Sequence, residues 1–143
     1  MKRRDALSKI IRSKPKKIKI QSAKDKGRRL QKWVCQRISE LTGFPCGKDC
    51  PIESRPMGQS GVDVRLEKQV LRKFPFSVEC KSQESWNVHE WIKQAKGNQI
   101  EGTDWLLVCK RSREEPVVII NAKSWFKIMQ KAIFYNNPCT KIE

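Results

Sequence analysis

Residues 76–81 read Phe-Ser-Val-Glu-Cys-Lys, a strict alternation of apolar and polar side chains. A period of two belongs to an extended strand, with Phe76, Val78 and Cys80 on one face and Ser77, Glu79 and Lys81 on the other. A second alternating stretch, Val62-Asp63-Val64-Arg65-Leu66, turns Asp63 and Arg65 away from its apolar residues. The polar connection from Glu67 to Pro75 is short enough to predict a hairpin that lays Asp63 beside Glu79. Two later runs, Trp105–Cys109 and Val117–Ile120, are apolar without interruption. That pattern predicts strands covered on both faces, joined by the charged turn Lys110 to Pro116.

Helical periodicity fills the rest. Leu30, Val34, Ile38 and Leu41 form one apolar stripe over about Lys24 to Leu41, ended by Thr42-Gly43. Phe44 to Gly61, with Pro45, Pro51, Pro56 and several glycines, has loop composition. Asn87 and Glu90 fit a helix start, with Val88, Ile92 and Ala95 facing inward and Gly97-Asn98 as the stop. A closing helix over about Ala122 to Phe134 is expected to turn Trp125, Phe126, Met129 and Ile133 to the core. The expectation is an α/β chain in the order α-β-β-α-β-β-α, one mixed central sheet flanked by helices. No internal repeat is visible.

A length of 143 residues suits one domain, assigned to 24–143, preceded by a basic tail over 1–23. The net charge is +16, and residues 1–29 hold thirteen basic side chains against Asp5 and Asp25. A block of this kind buries little and is drawn to polyanions, which favours a nucleic-acid partner. An acidic membrane surface is the weaker competitor, because Ile10, Ile11, Ile18 and Ile20 are too few for an insertion face. No apolar run is long enough to span a membrane, and no apolar stretch follows the basic start as in a secretory signal. A cytoplasmic, nucleoid-associated protein is therefore expected, with its six cysteines reduced. Cys46 and Cys50 have a spacing that some zinc sites use, but no second close pair supplies the four ligands of a structural site.

Asp63, Glu79 and Lys81 carry the chemistry. Hydrolysis of a phosphodiester with Mg2+ needs carboxylate oxygens to hold the ion and a cation near the developing charge. Glu79 and Lys81 share a strand face, and Asp63 lies on the polar face of the preceding strand. A Glu-x-Lys tripeptide alone is a common surface ion-pair pattern. Two matching strand faces in a strongly basic chain raise its significance, since a polyanion binder gains little from clustered acids unless a cation sits between them.

Gly61-Val62-Asp63 followed by Glu79-Cys80-Lys81 resembles the core motif of the PD-(D/E)XK nucleases, with their restriction-endonuclease-like fold. The pattern is most similar to the small Holliday-junction resolvases of archaea and phages. Lys26-Gly27 resembles their helix opening, and Arg55 to Gly61 their basic Ser/Gly loop. The resemblance spans roughly residues 24–135. It implies a metal-dependent, structure-selective DNA endonuclease acting as a homodimer on junction DNA, with Mg2+ or Mn2+ as cofactor. It further implies metal ligation by Asp63, Glu79 and the Cys80 backbone carbonyl. Two departures stand out: Val62 replaces a Pro before the Asp, and Gln31 stands where a Glu usually completes the site. Glu40 is the alternative acid on the same helix.

Lys26, Arg28, Arg29 and Arg55 are candidates for phosphate contacts, with Ser60, Gln83 and Gln94 as further nucleic-acid contacts. His89 reads as a helix-surface residue. Trp105 and Trp125 read as core, and Trp86 as the exposed ring available for base stacking. Ile133, Phe134 and Tyr135, or Val70 and Leu71, are candidates for a dimer surface. Two other readings remain: a repair, flap or exonuclease using the same site, and a non-enzymatic basic nucleic-acid-binding protein.

Overall fold

The computed structural model describes residues 20–56 and 58–136. Of the basic tail expected over 1–23, residues 1–19 lie outside the described residues, and residues 20–23 are part of helix α1, which starts earlier than the expected Lys24.

Helix α1, Ile20–Thr42, buries Leu30, Val34, Cys35 and Ile38 along one face. Leu41, expected on that stripe, is 72% exposed. Thr42 takes the inward place, its hydroxyl donating to the Ile38 carbonyl at 2.7 Å. The helix then stops at Gly43, whose φ of 81° needs a residue without a Cβ and whose amide donates to the Ser39 carbonyl.

Two elements occupy segments read as loop from sequence. Strand β1, Ile52–Ser54, pairs antiparallel with β2, Val64–Leu66, opposing Ile52 to Leu66. Three residues beside Pro51 are too short to reveal a period, yet Ile52 is wholly buried. The one-turn helix α2, Lys68–Leu71, occupies the supposed hairpin connection and seals Val70 completely. The expected β2–β3 hairpin is therefore not formed: β2 pairs with β1, and the segment meets β3 through the Asp63 amide instead of a ladder.

Strand β3, Phe76–Ser82, pairs instead in parallel with β4, Asp104–Lys110, across the crossover helix α3, Val88–Gly97. A parallel pair requires such a crossover. Strand β5, Val117–Ile120, then pairs antiparallel with β4. The chain is thus mixed α/β, with a three-stranded sheet β3-β4-β5 and a two-stranded sheet β1-β2. The Asp63 amide joins them by donating to the Val78 carbonyl at 2.9 Å.

Apolar residues pack on both faces of the larger sheet. Leu30, Val34 and Ile38 of α1 cover Phe76, Val78, Leu106 and Val108 on one side. On the other, Trp91 and Ala95 of α3 cover Trp105, Leu107 and Cys109. This explains the unbroken apolar run of β4, buried throughout from Trp105 to Cys109. Shortening the fully buried Leu107 to Ala should cost about 2–5 kcal/mol.

The C-terminal elements depart from expectation. Strand β5 lies at the sheet edge, and Val118 is 58% exposed rather than covered. Helix α4, Ala122–Asn136, buries only Ser124, whose hydroxyl donates to Asp104 at 2.7 Å. Trp125, Phe126, Met129 and Ile133, expected in the core, are exposed, Phe126 to 66%. The helix starts two residues after β5 and touches the domain along one edge, so its apolar arc faces outward. Among the described residues no helix is long and apolar enough to cross a membrane.

Candidate active site

The alternation of β3 sends Glu79 and Lys81 to the face covered by α3. Glu79 is buried there, with its Oε1 2.8 Å from the Lys81 ammonium. Its Oε2 accepts from the Asn98 side chain at 3.3 Å. Lys81 also donates to Gln94 Oε1 at 2.8 Å. The crossover thus positions both residues, from Gln94 in the body of α3 and from Asn98 at its C-cap.

Asp63 reaches the same strand from its edge. Its Oδ2 accepts from the Cys80 amide at 2.7 Å, between the backbone positions of Glu79 and Lys81. Its own carbonyl accepts from the Arg55 amide at 2.8 Å. Burial pushes the Asp63 carboxyl up to about 6, and the negative charge of Glu79 pushes the same way. The Cys80 amide, the Lys81 ammonium and Arg55 oppose that rise. The Asp63 carboxylate thus lies in a partly dehydrated site, where burial disfavours its charged form.

The loop before Asp63 is also ordered by charge. The Arg55 guanidinium donates to the Ser60 carbonyl, and a Cβ at Gly61 would meet it at 2.7 Å. Gly61 adopts a φ of 101°, so the backbone favours glycine there, while the Arg55 guanidinium can move aside for a Cβ. Arg55 is committed to this loop, while Ser60 is exposed near its end.

The remaining predicted residues divide. Gln31 is buried on the face of α1 that packs against the sheets. Glu40 is exposed and paired with Arg37 at 2.7 Å. Lys26 binds Ser112 Oγ at 2.7 Å and lies 3.5 Å from Glu84, and Arg29 donates to the Asp25 carbonyl. Arg28 and His89 are exposed. Gln83 has an exposed side chain, and its carbonyl accepts from the Trp86 indole at 3.0 Å. Trp86 packs against Trp91, so the stacking candidate read from sequence is partly withdrawn from solvent and Trp33 is the more open ring.

Asn98 is the residue that sequence reading missed. Gly97-Asn98 signals a helix stop, but the return of that stop to Glu79 depends on the crossover. No group of three His, Cys, Asp or Glu side chains converges among the described residues. Two carboxylates nevertheless suit Mg2+, which takes oxygen ligands and fills the rest of its shell with water and phosphate oxygens. The buried Glu79 and the Asp63 carboxylate held at the Cys80 amide of the same strand are the oxygen donors that would fit such an ion. Comparison with known proteins returns no matching family model, no matching curated protein and no matching solved structure.

Proposed function

We propose that the chain is a divalent-metal-dependent DNA endonuclease selective for branched DNA, akin to the junction resolvases that its motifs resemble. The observation that carries this reading is the convergence of Asp63, Glu79 and Lys81 around Cys80, two carboxylates and an ammonium in a strongly basic chain. Asp63 and Glu79 would hold Mg2+ or Mn2+, with the Cys80 carbonyl as a further oxygen ligand. Gln31, which stands where the resembling family uses a Glu, is buried on α1, which covers the opposite face of the sheet from Glu79. The bound ion supplies Lewis acidity toward the phosphate and a more acidic attacking water.

The chain's own residues supply position and charge. Asn98 and Lys81 fix the Glu79 carboxylate, so its oxygens do not have to be ordered when substrate arrives. Gln94 steers the Lys81 ammonium, which offsets charge developing on a non-bridging phosphate oxygen. Lys26, Arg28 and Arg29 offer backbone contacts along α1.

A symmetric homodimer supplies the two nicks that a four-way junction needs. The outward apolar arc of α4, with Trp125, Met129, Ile133 and Phe134, supports a second copy as its cover. Trp125, Phe126 and Phe134 are about half exposed, so each has roughly half of an aromatic side chain's 150–250 Å² left to bury. With the aliphatic residues beside them, the arc supplies the apolar centre of an interface whose full extent is roughly 800 Å² per partner. Val70 drops out of that surface because it is fully buried. Sedimentation at micromolar concentration tests the pairing, and a strict monomer refutes it.

One observation favours the non-enzymatic alternative: Lys81 already neutralises Glu79, as a structural polar cluster would. Cleavage of a four-way junction, a flap and a linear duplex, each with Mg2+ and with EDTA, separates the readings. The nuclease reading expects Mg2+-dependent cuts with the junction preferred, lost in Glu79→Gln. No cleavage of any of the three refutes it.

A further inference from the structure

One residue beyond Lys81, the end of β3 opens onto a cavity of about 460 Å³ on the α1 side of the sheet. That volume lies within the range of sites that hold small organic groups. Lys26, Arg29 and Trp33 of α1 form one wall, and Lys110, Arg111 and Arg113 of the β4–β5 turn form the other. Ser82 lies between them. The walls are tied together: Lys26 donates to Ser112 Oγ, while Glu84 accepts from the Ser112 amide at 3.1 Å and lies 3.5 Å from Lys26. The cavity is therefore preformed.

Its chemistry is mixed in a particular way. The Trp33 ring is 43% exposed, with Arg37 5.8 Å from its centre. Leu30 and Pro116 add apolar lining beside it. Arg113 is held at the turn by a φ of 63°, a backbone state that few side chains adopt, and has no acidic partner among the described residues. A flat apolar ring beside several cations, with Glu115 as the acid of the lining, matches a nucleobase with its phosphates, the pairing of stacking and charge by which proteins hold single strands. A base within a duplex has both faces stacked and must leave the helix to reach such a ring.

The geometry points to this cavity as a binding site for an unpaired DNA nucleotide, stacked on Trp33 with flanking phosphates on Arg113 and Lys110. The inference rests on the nuclease reading for its relation to the scissile phosphate. Lys81 and Ser82 are adjacent but face opposite sides of the sheet. A strand crossing the sheet end leaves paired DNA at Lys81 and enters the cavity unpaired. Selectivity for branches over continuous duplex then follows from where a strand can go.

The test is binding by fluorescence anisotropy in EDTA, using the full chain, a short oligo(dT) and a blunt duplex of equal length. Trp33→Ala should weaken oligo(dT) binding by about five-fold or more, the effect of losing one stacked base. Duplex binding should change far less. Arg113→Gly, which suits the positive φ and so guards against misfolding, should act in the same direction. Equal weakening of both ligands, or no effect in either variant, overturns the site. Free thymidine monophosphate and oligo(U) are the control arms, and tighter binding of either than of oligo(dT) also overturns it. If the oligo(dT) effect holds while no DNA is cleaved in Mg2+, the nuclease reading fails and the binding site stands. Junction cleavage without the oligo(dT) effect has the reverse meaning.

Discussion

Replacing Asp63 by Asn should stabilise the metal-free protein while ending cleavage. Burial, with help from Glu79, raises the Asp63 carboxyl from 3.8 to about 6. The folded chain therefore holds that proton more tightly than the unfolded chain does. Stability falls as the pH rises from the unfolded value to the folded one, and the whole penalty is present above about pH 6. A displacement of this size corresponds to about 3 kcal/mol. Asn carries no charge, so the penalty disappears, and its carbonyl oxygen can still accept from the Cys80 amide. That hydrogen bond loses its charge assistance, on the order of 1 kcal/mol. The net gain should be about 2 kcal/mol near pH 7.5, roughly 4–8 °C in Tm for a chain of this size. Urea unfolding in EDTA measures it directly, and the advantage should vanish as the pH is lowered to about 4. An Asn variant less stable at pH 7.5, or equally favoured at both pH values, would refute the assigned electrostatics.

Other perturbations separate the roles of neighbouring groups. Lys81→Ala should lower the cleavage rate by about a hundred-fold or more at unchanged substrate affinity, read by single-turnover kinetics. Asn98→Ala takes the donor from a buried carboxylate oxygen and should destabilise the fold by about 1–3 kcal/mol in urea. Mg2+ at a hundred times its Kd should stabilise the wild type by about 2.7 kcal/mol and leave Asp63→Asn nearly unmoved. Removing residues 1–19 should weaken DNA binding, and the slope of log K against log salt should fall by roughly 0.9 for each phosphate that the tail neutralises. An unchanged slope would deny the tail a part in binding.

Periodicity makes some features legible and leaves others hidden. The faces of β3 follow from a local repeat of two, which places Glu79 and Lys81 together whatever β3 pairs with. The run from Trp105 to Cys109 likewise announces a strand covered on both sides. Partner choice is not local. Nothing in Val64–Leu66 says that it pairs with a three-residue strand before it rather than with β3 after it. Asn98 reaches Glu79 only because the crossover returns α3 to the sheet. The α4 residues give the opposite error: Trp125 and Phe126 reveal a face that favours cover, while composition is silent on which chain provides it.

The position of Asp63 at the joint between two sheets makes it a mechanical part as well as a chemical one. Its carbonyl is tied to Arg55 on the β1–β2 side, while its amide and carboxylate are tied to Val78 and Cys80 of β3. A shift of one sheet against the other changes the spacing of the two carboxylates, and a change of charge on Asp63 pulls on the seam. Amide hydrogen exchange at Asp63 and Cys80 therefore reports on both events at once. A ligand held by both carboxylates would add one more tie to the hydrogen bonds that already join the two sheets at Asp63.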